Sequence, residues 1–73
     1  MQEQKTLPKP SLGRVVHYYD TDGTTKAAMI TYVHSESLVN LAVFGPNGET
    51  FGRTSIAYSD TPGSGGWFWP PRL

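Results

Sequence analysis

The chain of 73 residues contains no cysteine, so no disulfide braces it. A core of this size seldom supplies more than ~3–5 kcal/mol unaided, and small domains usually add disulfides, a metal or a partner subunit. The metal route is short of ligands. His17 and His34 are the only histidines, and without a thiol they make none of the usual structural zinc sets. Charge of one sign is lacking too, because six basic side chains balance six acidic ones. Binding to a nucleic-acid polymer normally draws on a basic surplus that displaces counterions, so it is not expected. No apolar run approaches the roughly 18 residues of a membrane span. Residues 1–12 are polar, with Pro8 and Pro10, and do not resemble a signal peptide. Nor does any segment carry a 3.6-residue apolar stripe of helical length.

What the chain does have is aromatic side chains: Tyr18, Tyr19, Tyr32, Phe44, Phe51, Tyr58, Trp67, Phe68 and Trp69. They allow the two remedies left to a small cysteine-free domain, an aromatic-rich core and self-association into a homo-oligomer. Residues 1–12 read as a flexible or polyproline-like tail, since their prolines break helices and deny ladder donors. Residues 13–73 read as a single domain. Residues 14–19, β-branched and aromatic, predict a first strand, and Asp22-Gly23 a tight turn after it. Residues 26–34 predict a second strand, with Ala28, Ile30 and Tyr32 on one face and Ala27, Met29, Thr31 and Val33 on the other. Residues 38–44 follow, with Val39, Leu41 and Val43 sharing a face. Gly45-Pro46-Asn47-Gly48 is the clearest turn. Residues 49–58 predict a fourth strand, in which Gly52 marks an expected bulge or bend. After a glycine-rich loop, Trp67-Phe68-Trp69 predicts a short closing strand that Pro70 and Pro71 terminate. The expected fold is all-β: a five-stranded meander closing as a small SH3-like barrel.

The chemistry-bearing residues point to binding and away from catalysis. Neither histidine has a nucleophile and an orienting carboxylate at a recognisable spacing. Each alternates with apolar neighbours and reads as a cross-strand or core histidine; a metal pair with Glu36 has no ligand signature behind it. Pro62-Gly63-Ser64-Gly65-Gly66 lacks the Gly-Lys-Ser/Thr and following helix of a phosphate-binding loop, and reads as a connector or lid. Trp67 and Trp69 are expected to staple the last strand, with Phe68 on the opposite face as part of a stacking platform for a flat ring. Arg14 and Arg53, borne on strands, can hold a phosphate with their rigid forks. The candidate ligand-binding set is therefore Arg14, His17, Tyr19, Arg53, Trp67, Phe68 and Trp69. No catalytic residue, metal site or cofactor is expected.

Four segments resemble a known group. Gly13-Arg14-Val15-Val16-His17-Tyr18, Lys26-Ala27-Ala28-Met29-Ile30-Thr31-Tyr32-Val33, Val39-Asn40-Leu41-Ala42-Val43-Phe44 and Gly66-Trp67-Phe68-Trp69-Pro70 are similar, in that order, to segments of small uncharacterised proteins of tailed bacteriophages. The chain departs from that pattern at Phe68, where the group commonly has histidine, and at Pro71, where it commonly has an acid. The resemblance implies a phage origin and a location in the host cytoplasm or the virion. With it, the expected function is a non-enzymatic accessory protein that binds a host molecule. Its sharpest form is an oligomer that sequesters a nucleotide immune signal. A virion component and an SH3-like adaptor that inhibits a host protein are the alternatives.

Overall fold

The computed structural model describes residues 9–70. Most of the expected tail, residues 1–8, and Pro71 lie outside the described residues. Five antiparallel strands form one curled, half-barrel sheet: β1 (Val15–Tyr19), β2 (Thr25–Val33), β3 (Leu38–Phe44), β4 (Thr50–Ala57) and β5 (Trp67–Phe68). Their order is β4-β3-β2-β1-β5. There is no helix among the described residues, hence none long and apolar enough to cross a membrane.

Each strand lies within about a residue of its expected bounds, because each is a β-branched or aromatic run between turn residues. The β1–β2 turn closes through Asp20 N–H to the Thr24 carbonyl at 2.9 Å, and the β3–β4 turn through Gly45 N–H to the Glu49 carbonyl at 2.7 Å. Ahead of β1, Arg14 N–H donates to the Ser11 carbonyl at 3.2 Å. That turn needs a left-handed residue, and Gly13 fills the place with φ 86°. The end of the expected tail rests on the sheet: Pro10 is buried, and Lys9 lies 3.3 Å from Glu36.

The inner face carries the core: Val16, Tyr18, Ala28, Ile30, Val39, Leu41, Val43 and Trp67, all buried. Val33, Ile56, Tyr58 and Trp69 pack against it. The strict alternation expected of β2 fails at its end. The β2–β3 register shifts between Ile30 and Tyr32, and one extra residue reverses which side the next side chain takes. Tyr32 is therefore 56% exposed, whereas Val33 turns inward to the core; the sequence pattern had them the other way round. Gly52 is no bulge either. It pairs in register with Ala42, and the β3–β4 irregularity lies between Val39 and Leu41, opposite Thr54 and Ser55.

Trp67 joins the two ends of the sheet. It pairs with Tyr18 of β1 on one side and forms an isolated parallel bridge with Tyr58, just past β4, on the other. Ser59 N–H donates to the Trp67 carbonyl at 2.9 Å, and the Trp67 indole N–H donates to the Ser37 carbonyl at 2.9 Å. An indole buries ~150–250 Å², worth ~4–6 kcal/mol at ~25 cal/mol per Å². The chain can approach this closely only because residue 66 is glycine. A Cβ there would sit 2.9 Å from the Ala57 carbonyl oxygen and 2.5 Å from Ser59 Cβ.

Candidate functional site

Strand register sorts the candidate residues onto two faces. On the inner side, Ile30 pairs with Leu41, Leu41 pairs with Arg53, and Ile30 N–H donates to the Arg14 carbonyl at 2.9 Å. Arg14 and Arg53 thus stand at the two ends of one cross-strand row, with buried Ile30 and Leu41 between them. Each guanidinium lies over an aromatic ring. The Arg14 Cζ is 5.0 Å from the Trp69 ring centre, and the Arg53 Cζ is 5.8 Å from that of Phe51. Arg53 Nη1 also donates to the Gly52 carbonyl at 2.9 Å, which steadies the group. Among the described residues neither guanidinium is paired with a carboxylate. A guanidinium lying against a ring keeps in-plane N–H groups for an anion.

The outer face gathers a different set. Tyr19 and Phe68 stack with ring centres 4.0 Å apart and planes 18° from parallel. His17, which pairs with Phe68 across the strands, meets that ring edge-on at 5.3 Å. His17 is thus the cross-strand histidine that its alternation predicts. His34 is exposed and bonds Asn40 Oδ1 through Nε2 at 2.9 Å. No group of three His, Cys, Asp or Glu residues able to hold a metal gathers among the described residues.

The expected binding set therefore divides. His17, Tyr19 and Phe68 come together outside, Arg14 and Trp69 come together at one rim, and Arg53 joins Phe51 at the other. Trp67 belongs to none of these groups. It is 1% exposed, enclosed by Tyr58 and Trp69, which meet it edge-on at 5.0 and 5.5 Å, so its ring offers no face to a ligand. Phe51, absent from the expected set, belongs beside Arg53; its place two residues away on the same strand was the available signal. The glycine-rich loop is tied to β1 at its end, where Gly65 N–H donates to the Tyr19 carbonyl at 2.7 Å and Tyr19 N–H to that of Gly66 at 2.8 Å.

Sequence reasoning also missed a cleft of about 680 Å³ between the two hairpin turns, lined by Asp22, Lys26, Ala27, Phe44 and Pro46 among others. Lys26 Nζ there lies 3.0 Å from Asp20 Oδ2 and 3.1 Å from Asp22 Oδ2. Hydrogen bonds from the Thr24 hydroxyl and backbone, then from Lys26, hold the Asp22 carboxyl down at about 2. The bond from Lys26 lowers Asp20, and Asp20 in turn raises Lys26. With its ammonium held by two carboxylates, the cleft is no anion site.

No protein-family model, curated protein or solved structure matches the chain.

Proposed function

We propose that this chain is a non-catalytic binding module for a nucleotide-class ligand, held between the Arg14–Trp69 and Arg53–Phe51 rims. The observation that supports this reading is the shared row: two guanidiniums, each over a ring, at opposite ends of one line across the inner face. A nucleotide offers what such a pair accepts, phosphates for the guanidinium forks and a flat base for an aromatic face. The rims stand three strand spacings apart, ~14 Å along the sheet and less across its curl, which suits a ligand with two recognition points. On this reading the Tyr58–Trp67 bridge is the closure of an SH3-like barrel, and the motif resemblance to tailed-phage proteins supplies the setting: sequestration of a host nucleotide signal.

Thermal unfolding against cyclic mononucleotides, cyclic dinucleotides and ADP-ribose derivatives tests the proposal. Ligand at 100 times Kd stabilises by ~2.7 kcal/mol, a rise of ~10 °C or more for a domain this small. Arg14→Ala or Arg53→Ala should abolish the rise. An unchanged melt across the panel overturns the reading.

The hairpin cleft favours a second reading, an adaptor for a host protein. Phe44 and Pro46 would take an apolar residue and the partly exposed Asp22 a basic one. Capture of one host protein, lost on Phe44→Ala, would support it over the first.

A further inference from the structure

We propose that the free edge of β4 pairs with the same edge of a second copy, antiparallel and about a two-fold axis at Phe51. This inference does not rest on the nucleotide reading. β4 ends the sheet, and its residues from Thr50 to Gly52 are exposed. The phase of its backbone follows from the hairpin. Gly45 N–H donates to the Glu49 carbonyl, so Glu49 and then, in register, Phe51 and Arg53 turn their backbone groups toward β3. Thr50 and Gly52, between them, turn theirs out to the open edge. The Gly52 carbonyl shows this directly, because it accepts from the guanidinium of its own neighbour, Arg53 Nη1, at 2.9 Å. Alternation puts the side chains of Glu49, Phe51 and Arg53 on one side of the strand. They form the sequence acid, ring, base. Phe51 is 38% exposed, and among the described residues neither Glu49 nor Arg53 has an ion partner. Glu49 spends only Oε1 within the chain, on Asn47 N–H at 2.9 Å.

The occupant is a second copy because this strand, turned end for end, complements itself. With the axis at Phe51, Thr50 lies opposite the partner's Gly52 and Gly52 opposite the partner's Thr50, so the outward N–H and carbonyl groups bond one another. Phe51 then meets the partner's Phe51 in the closer, non-hydrogen-bonded kind of pair. Arg53 meets the partner's Glu49, and Glu49 the partner's Arg53. Opposite charges directly across a ladder attract and like charges repel, so both unpartnered ions are matched at once. Moving the axis to Gly52 would leave Glu49 without a cation, and a parallel copy would set like charges together. A strand of unrelated sequence would satisfy the backbone and leave the ions unmatched. Two features commonly guard an open edge, an inward charge and a bulge. Here the charge is Arg53, which exchanges the Gly52 carbonyl for a carboxylate, and the bulge at Ser55 sets where pairing stops. An edge this short buries less than the ~800 Å² per partner of a standard interface, so the pair belongs to the weak, transient class. The two-fold arrangement closes on itself.

Sedimentation equilibrium on the full chain, at concentrations on the order of 100 μM where a weak pair forms, is expected to show a monomer–dimer equilibrium. Glu49→Arg and Arg53→Glu each set like charges across the pair and should weaken association at least tenfold, with circular dichroism confirming that each variant is folded. The double reversal Glu49→Arg with Arg53→Glu restores opposite charges and should restore the dimer. Amide exchange read by nuclear magnetic resonance supplies the second measurement: the Thr50 and Gly52 amides should gain protection as the concentration rises. A chain that stays monomeric overturns the proposal. So does a double reversal that associates no better than the single ones, or a dimer that leaves the Thr50 and Gly52 amides unprotected. Arg14→Ala, outside the strand pair, removes the nucleotide response alone, so failure of one reading is told from failure of the other.

Discussion

Ser55 is the one described residue other than glycine in the left-handed region, with φ 55°. A side-chain-bearing residue there costs ~1–2 kcal/mol. The conformation is held from the neighbouring strand: Asn40 Oδ1 accepts from Ser55 N–H at 2.8 Å and meets His34 Nε2 at 2.9 Å. A carboxamide oxygen only accepts, so His34 carries its proton on Nε2. Ser55→Gly should raise the urea unfolding free energy by ~0.5–1 kcal/mol, because relief of strain exceeds the extra freedom glycine adds to the unfolded chain. Asn40→Ala should lower it by ~1 kcal/mol, the net worth of an ordinary hydrogen bond. A Ser55→Gly variant no more stable than wild type would show that the bulge stores no strain. The sequence pointed to Gly52 because a glycine within a strand commonly marks an irregularity. The irregularity here is set by an asparagine on the adjacent strand, and no local pattern in β4 reveals that.

At the scale of elements, the β1–β2 hairpin concentrates the described polar bonds that respond to pH. Asp22 is held at about 2 against an ordinary 3.8, and Asp20 is lowered as well. A carboxyl with a depressed pKa stabilises the fold fully above its unfolded value, and that contribution is lost as pH falls through the folded one. Lys26, raised above 10.5, has the opposite sign: its share is complete below that value and lost above it. The urea midpoint should therefore stay level from pH 5 to 8 and decline between about pH 4 and 2. Asp22→Asn should make that decline shallower. An identical decline in the variant would assign the acid sensitivity to the other carboxylates. The turn itself was legible in Asp22-Gly23. The ion cluster was not, because Asp20 and Lys26 meet only once the hairpin register is set. The strands were legible because turn residues bracket every apolar run. The end of β2 was misread because alternation carries no record of an inserted residue.

For the molecule as a whole, stability rests on the inner face of one sheet, where the buried core lies. A core of this size supplies only ~3–5 kcal/mol, and the buried Trp67 accounts for much of it. It links β1 to the chain just past β4, and its indole N–H satisfies the Ser37 carbonyl. Truncating a buried tryptophan to alanine costs ~3–5 kcal/mol, about the whole margin. Trp67→Ala should be unfolded at 25 °C by circular dichroism, and Trp67→Phe folded but weaker, with the Ser37 carbonyl keeping only the Tyr58 N–H as donor. Phe68, next in sequence, is half-buried on the outer face, where it stacks on Tyr19 and supports no inner neighbour. Phe68→Ala should stay folded and lose ~1–2 kcal/mol, the scale of a partly exposed aromatic pair with its buried area. Adjacent aromatics with opposite consequences follow from strand alternation alone, which the sequence did reveal. What it could not reveal was that the curl of the sheet brings Tyr58 beside Trp67, so that one of the pair is enclosed while the other meets solvent. A folded Trp67→Ala chain would mean that the sheet holds its curl without the link between its ends, and the stabilising role would then pass to the β1–β2–β3 core.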